Sequence, residues 1–204
     1  MQVRRQIAEL WPTRVGFYQL EGEEAAARIA ALYDRAWRPP QEGRTAAERR
    51  IRGIMAEAPE LLATVRDCVA DYLGPGAAFL DPTYCENRAL LIEDRAFINT
   101  HADSREGDVT AVLFLTGDGA GRPINSVGNP RFCLEDPSRY ADQPRLPFES
   151  RSAFSVNPRP GLLVIFPAWI PHNQHPYRGE VTHIQIVMNF RVSIPEHLQE
   201  EWFD

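Results

Sequence analysis

The sequence of 204 residues contains no lysine: all 22 basic side chains are arginine, set against 28 acidic ones. A net charge of −6 excludes the clustered cationic surface that phosphate backbones require, so nucleic acid is not an expected partner. Cysteine is scarce. Cys68, Cys85 and Cys133 are odd in number, far apart and form no Cys-x-x-Cys, which argues against a disulfide framework or a zinc knuckle. Long apolar runs are missing as well. The longest, over 162–170, is interrupted by Pro167 and falls well short of the ~20 residues of a membrane span, and no basic-then-apolar leader opens the chain. These absences predict a cytoplasmic, acidic globular protein, a single domain over 1–204 with no membrane partner.

What is present divides near Pro75. Residues 23–37 place Ala25, Ile29, Leu32, Tyr33 and Ala36 at three- and four-residue steps, which predicts a helix ended by Pro39 and Pro40. Thr45 and Glu48 have capping-box spacing and predict a second helix. Pro59 opens a third, carrying Leu62, Val65, Cys68, Val69 and Tyr72 before Gly74-Pro75. The first 75 residues thus read as a helical layer. Beyond them, segments 89–101, 109–116, 161–166 and 183–192 are rich in β-branched and aromatic residues and read as strands. The stretch 117–160 is heavy in Gly, Pro, Asn and Asp and reads as a lid or binding loop, and 195–204 as a tail. Helices followed by strands predict an α+β fold whose strands form a sandwich or barrel, here over 76–194.

Alternation sorts the strand faces. Ile184, Ile186, Met188, Phe190 and Val192 share one face; His183, Gln185, Asn189 and Arg191 share the other with Val187. If 95–103 stays extended, Arg95, Phe97, Asn99, His101 and Asp103 point one way. Polar faces of this kind line a cavity or face solvent; periodicity alone does not choose.

His101-Ala102-Asp103 and the distant His172 carry the chemistry. Two imidazoles and one carboxylate on one side of an octahedral ion leave three positions open, the arrangement of non-heme Fe(II) oxygenases. Five histidines and 28 acidic residues in 204 positions make about one His-x-acid pair by chance, so the pair says little alone, and His101 also reads as a hydrogen-bonded core histidine. Context adds weight: His101 ends a strand-like run, and His172 follows a Pro-Gly turn, an apolar strand and Phe166-Pro167-Ala168-Trp169-Ile170-Pro171.

That phrase, with the terminal Met188-Asn189-Phe190, resembles the 2-oxoglutarate and Fe(II)-dependent oxygenase superfamily, and more closely a group of small bacterial 2OG-Fe(II) oxygenases. Glu9-Leu10-Trp11-Pro12-Thr13-Arg14-Val15 is similar to that group's opening. The resemblance implies a double-stranded β-helix (jelly roll, cupin-like) core with His101, Asp103 and His172 as iron ligands. It also implies Fe(II), O2 and 2-oxoglutarate as cofactor and co-substrates. The implied reaction oxidises an unactivated C–H bond of a small-molecule substrate by hydroxylation, desaturation or cyclisation, with release of succinate and CO2. Asp103 fills the position that halide would need, so halogenation is not expected.

One departure stands out. The family holds the far carboxylate of 2-oxoglutarate with an Arg on the last strand and a hydroxyl residue two positions on, where this chain has His183 and Gln185. A guanidinium grips a carboxylate with two charge-assisted hydrogen bonds; an imidazole offers one donor. Arg95, Arg191 and Arg178 are candidate replacements, the first two favoured by parity, and Asn99 and Asn189 are candidate wall residues. Three other readings follow: an Fe(II) or cupin-like enzyme that dispenses with 2-oxoglutarate, a non-catalytic jelly-roll binding protein, and a Zn(II) hydrolase. His175 and His197 read as loop and tail residues, and Trp169 as packing beside the iron strand or as a wall of the substrate pocket. Tyr84, Arg105, Arg122, Arg131 and Arg139 read as mouth-loop residues.

Overall fold

A computed structural model describes residues 1–10, 13–37, 48–117, 131–137, 153–178 and 182–193. In chain order the elements are β1 (Gln2–Leu10), β2 (Thr13–Glu21), α1 (Glu23–Ala36), β3 (Glu48–Arg52), a 3₁₀ turn (Ile54–Glu57), α2 (Pro59–Leu73) and β4 (Ala78–Phe79). There follow β5 (Glu86–Ile92), β6 (Ile98–His101), β7 (Val109–Phe114), β8 (Phe132–Glu135) and β9 (Ala153–Val156). Last come β10 (Leu162–Pro167), β11 (His172–Gln174), β12 (His183–Phe190) and β13 (Val192–Ser193). A seven-stranded sheet runs β1-β2-β10-β7-β12-β5-β3, and a four-stranded sheet runs β6-β11-β8-β9. The fold is mostly β-sheet with two α-helices.

The large sheet is buried on both faces because its strands are apolar at both parities. Ala89, Leu91, Ala111, Leu113, Ile184, Ile186 and Met188 meet Ile29 and Leu32 of α1 and Leu61, Val65 and Val69 of α2 in one core. The alternate positions, Leu90, Ile92, Val112, Phe114, Val164, Phe166 and Val187, meet Ile98, Phe132, Leu134 and Val156 of the small sheet in a second core. The helices therefore back the sheet, and the space between the sheets is a separate interior.

Two of the three expected helices form, over Glu23–Ala36 and Pro59–Leu73. The helical reading of the first third is otherwise overturned. Gln2–Leu10 and Thr13–Glu21 are an antiparallel strand pair joined to β10 through Leu162↔Gln19 and Val164↔Phe17. Val15 enters the inter-sheet core while Tyr18 and Leu20 enter the helix-side core, a period of two that outweighs local helix propensity. Of the expected second helix, Thr45 lies outside the described residues and Glu48–Arg52 is an edge strand paired with β5. The 117–160 segment is likewise not all loop. Phe132–Glu135 and Ala153–Val156 are two strands of the small sheet, too short to stand out among turn residues. Residues 118–130, 138–152 and 195–204 lie outside the described residues. No described helix is long and apolar enough to cross a membrane.

Candidate metal centre

β11 and β6 pair antiparallel with His172 opposite His101. The next pairing is Gln174 with Ile98, so three residues of β6 answer two of β11: a β-bulge. The bulge puts Ile98 and His101 on the same, inward side. Simple alternation, which grouped Arg95, Phe97 and Asn99 with His101, fails for this reason. Asn99 is exposed and contributes only its carbonyl, 2.8 Å from His101 Nδ1. Arg95 sits before the strand at φ 65, exposed, with Nε 3.4 Å from Asp94.

Donor atoms of His101, Asp103 and His172 all lie within 4.8 Å of one another. His101 Nε2 is 3.7 Å from Asp103 Oδ1, and His172 Nε2 is 3.8 Å from Asp103 Oδ2. His172 Nδ1 is 3.0 Å from the Ile170 carbonyl. A carbonyl only accepts, so both Nδ1 atoms carry hydrogen and both Nε2 lone pairs are left for a cation. Burial pushes His172 down to about 4, with His101 lowering it further and Asp103 opposing, so its ring is neutral at pH 7. Asp103 Oδ2 is buried without a hydrogen-bond partner among the described residues. Two imidazole Nε2 atoms facing one buried carboxylate, with Oδ2 unpartnered, fit a divalent cation of borderline hardness, with ligands on one side only. Among the described residues this is the one such cluster.

Asp103 is oriented by a chain of contacts that sequence reading missed. Its N–H donates to the Ala168 carbonyl at 2.8 Å, tying it to the strand that leads to His172. Arg88, only 4% exposed on β5, donates from Nη2 to Asp103 Oδ1 at 3.1 Å and from Nη1 to Glu106. Burial disfavours the guanidinium charge, but Asp103 and Glu106 together hold its pKa above the usual range. Asn189 Nδ2 donates to Glu106 at 3.0 Å, and Thr110 Oγ1 to Asn189 Oδ1 at 2.7 Å. Asn189 is thus a member of this support, reached through Glu106. The signal for Arg88 was parity: a cation two residues before Leu90, on the face that becomes interior.

The remaining expected residues fall elsewhere. Arg191 is exposed beyond β12, its Cζ 5.0 Å over the Tyr84 ring, and Arg178 is exposed. Trp169 is 49% exposed, so it does not pack beside the strand as expected. Arg122, Arg139 and His197 lie outside the described residues. His183 and Gln185, each 1% exposed, point inward from the large sheet. Thr116 Oγ1 lies 2.8 Å from His183 Nδ1, accepts the Ile184 N–H at 2.9 Å, and is 3.5 Å from the Ile184 carbonyl. The hydroxyl hydrogen serves the shorter contact, leaving the His183 proton on Nε2. Burial pushes His183 down to about 4 against a smaller opposing effect of Gln185, so this ring too is neutral.

No family model matches the chain, and no curated protein matches it in sequence. Solved structures do match in fold. EvdO2 from Micromonospora carbonacea var. aurantiaca is 18% identical at TM-score 0.60, over 89% of this chain and 86% of its own. A Pseudomonas putida prolyl-4-hydroxylase is 18% identical at TM-score 0.54, over 93% and 92%. HygX from Streptomyces hygroscopicus, solved with nickel, 2-oxoglutarate and hygromycin B, is 16% identical at TM-score 0.52, over 84% and 81%. A Burkholderia pseudomallei protein of the 2OG-Fe(II) oxygenase family matches at TM-score 0.54. The chain has the fold of 2-oxoglutarate and Fe(II)-dependent oxygenases.

Proposed function

We propose that the protein is a mononuclear non-heme Fe(II) oxygenase with a double-stranded β-helix core, in which His101, Asp103 and His172 hold the iron. The convergence of His101 Nε2 and His172 Nε2 on the buried carboxylate of Asp103, one of whose oxygens has no hydrogen-bond partner among the described residues, carries this reading. EvdO2, of like fold, has been solved with 2-oxoglutarate bound, and HygX with iron. The first supports a 2-oxo acid, with 2-oxoglutarate the reference co-substrate, the second supports iron, and HygX with its bound hygromycin B supports a small-molecule substrate. A bound ferrous ion supplies oxygen activation at the open side of its coordination sphere.

The chain supplies the rest. The two backbone carbonyls fix the imidazole tautomers, Arg88 fixes the carboxylate rotamer, and Phe132 and Phe166 close the side of His172. Their ring centroids lie 5.6 and 5.1 Å from that imidazole and keep water from it. The overall change is 2-oxo acid, O2 and a C–H substrate giving the shortened acid, CO2 and the oxidised product.

The test is anaerobic reconstitution with Fe(II). One equivalent is expected to bind, and a 2-oxo acid is expected to raise a weak visible absorption band. His101→Ala, Asp103→Ala and His172→Ala are each expected to abolish stoichiometric binding. A protein that takes up no Fe(II), or that recovers activity with Zn(II) alone, overturns the reading.

A further inference from the structure

The interior near His172 contains buried polar groups that the metal centre leaves unused. Gln174 is 1% exposed and lies two residues beyond His172 on the same inward face of β11, one strand repeat of about 7 Å away. Neither its Oε1 nor its Nε2 has a hydrogen-bond partner among the described residues. His183 and its neighbour Gln185 point into the same inter-sheet interior from the large sheet, and His183 Nε2 and Gln185 Oε1 are also buried outside hydrogen-bond geometry with any described residue. Burying polar atoms unpaired is costly, so such a set belongs to a site completed by a ligand. A five-carbon 2-oxo acid chelated beside His172 spans about one strand repeat, which brings its far end among these groups.

These groups are all uncharged. The cation buried closest to the metal ligands, Arg88, is committed to Asp103 and Glu106. Arg95, Arg178 and Arg191 are exposed. The outward parity of Cys133, whose Sγ meets Ser155, puts Arg131 on the far side of the small sheet. A carboxylate placed here exchanges water for single neutral hydrogen bonds, without an opposite charge to offset its desolvation. An uncharged acceptor needs only the His183 N–H and an amide donor.

We infer that the co-substrate pocket does not select for a charged far end: His183, Gln185 and Gln174 accept a 2-oxo acid ending in an ester, amide or other neutral acceptor with an affinity within tenfold of that for 2-oxoglutarate. This rests on the oxygenase reading and refines it. The probes are 2-oxoglutarate, its 5-methyl ester and 2-oxopentanoate, each titrated anaerobically into the Fe(II)-loaded protein and followed by the visible band.

The expected result is that 2-oxoglutarate binds less than tenfold more tightly than the ester. His183→Arg is expected to restore the ion pair and favour 2-oxoglutarate over the ester by more than tenfold. If the unaltered protein prefers 2-oxoglutarate to both neutral acids by more than tenfold, the inference is overturned while the metal centre stands. Absence of a band with all three acids on an iron-loaded protein overturns it equally. Failure to bind iron sinks the oxygenase reading and this one together. The comparison on the unaltered chain decides the matter even if His183→Arg does not fold.

Discussion

Arg88 is the residue on which the geometry of the centre turns. A buried guanidinium between two carboxylates is stabilising only while all the partners are present; removing one strands the others in a poor solvent. Arg88→Ala leaves both carboxylate oxygens of Asp103 buried without a hydrogen-bond partner among the described residues and frees its rotamer. The expected outcome is a loss of about 3–5 kcal/mol in metal-free stability by urea unfolding. Fe(II) affinity is expected to fall roughly 10- to 100-fold, the usual cost of losing a partner behind a metal ligand. Arg88→Lys, which keeps charge but cannot bridge Asp103 and Glu106 with a planar fork, is expected to recover stability better than affinity. Equal recovery of both would contradict a positioning role.

His183 supplies a pH signature. Its folded pKa, about 4, lies below the ordinary imidazole value near 6.5. Between these values the unfolded chain binds a proton that the folded chain refuses, so stability rises with pH across roughly 4 to 6.5 and is level above. The slope is about 1.4 kcal/mol per pH unit at most for one such group. His172 adds a parallel contribution in the metal-free protein. The difference between the parent and His183→Gln, from urea unfolding at pH 5 and pH 7, isolates the His183 share. The variant is expected to show the flatter profile.

At the scale of elements, the turn between β6 and β7 does more than connect strands. Asp103 O accepts from Glu106 N–H at 2.8 Å, and Asp108 N–H donates to Phe190 O at 2.8 Å, so the turn is laced both to itself and to β12. Gly107 makes the close approach possible: a Cβ there would lie 2.7 Å from the Phe190 carbonyl oxygen and 3.0 Å from its nitrogen. Both are backbone atoms that cannot swing aside. Gly107→Ala is expected to lift the turn from β12, lower the Tm by several degrees and weaken Fe(II) binding through Asp103 and Glu106. Unchanged metal affinity at lowered stability would show that Asp103 is held by Arg88 and Ala168 alone.

Legibility differed by element for physical reasons. The meeting of His101, Asp103 and His172 was readable because an apolar strand framed by Pro160-Gly161 and Pro167 leads through a short turn to His172 at the start of the next strand, and Gly161 has the left-handed φ of 79 that the entering turn uses. The faces of β12 were readable because its pairing runs through the strand without a register shift, so the pleat keeps its parity. The β6 face was not, since a bulge depends on the register of the partner strand and leaves no mark on a single segment. Nor was the Arg88 network. Its four contacts join β5, the β6–β7 turn, β7 and β12, and nothing local predicts that they meet. β1 and β2 were missed because residues 2–21 read as part of the helical layer, with the helix that begins two residues after β2 ends.

At the scale of the whole molecule, the large sheet partitions the sulfur. Met55, Cys68 and Met188 lie in the core on the helix side, and Cys85 packs against it. Cys133 turns away from the interior toward Ser155, 3.4 Å distant. The walls beside His172 are Phe132, Phe166 and Ile170 instead. Thioether and thiol are the side chains an escaping oxidant attacks most readily. Idling turnover without a substrate is therefore expected to leave hydroxylated phenylalanine at 132 or 166, read by peptide mass spectrometry, before sulfoxide accumulates at Met188. On the oxygenase reading, the partition sets the backbone of the large sheet between the metal centre and the sulfur of the helix-side core.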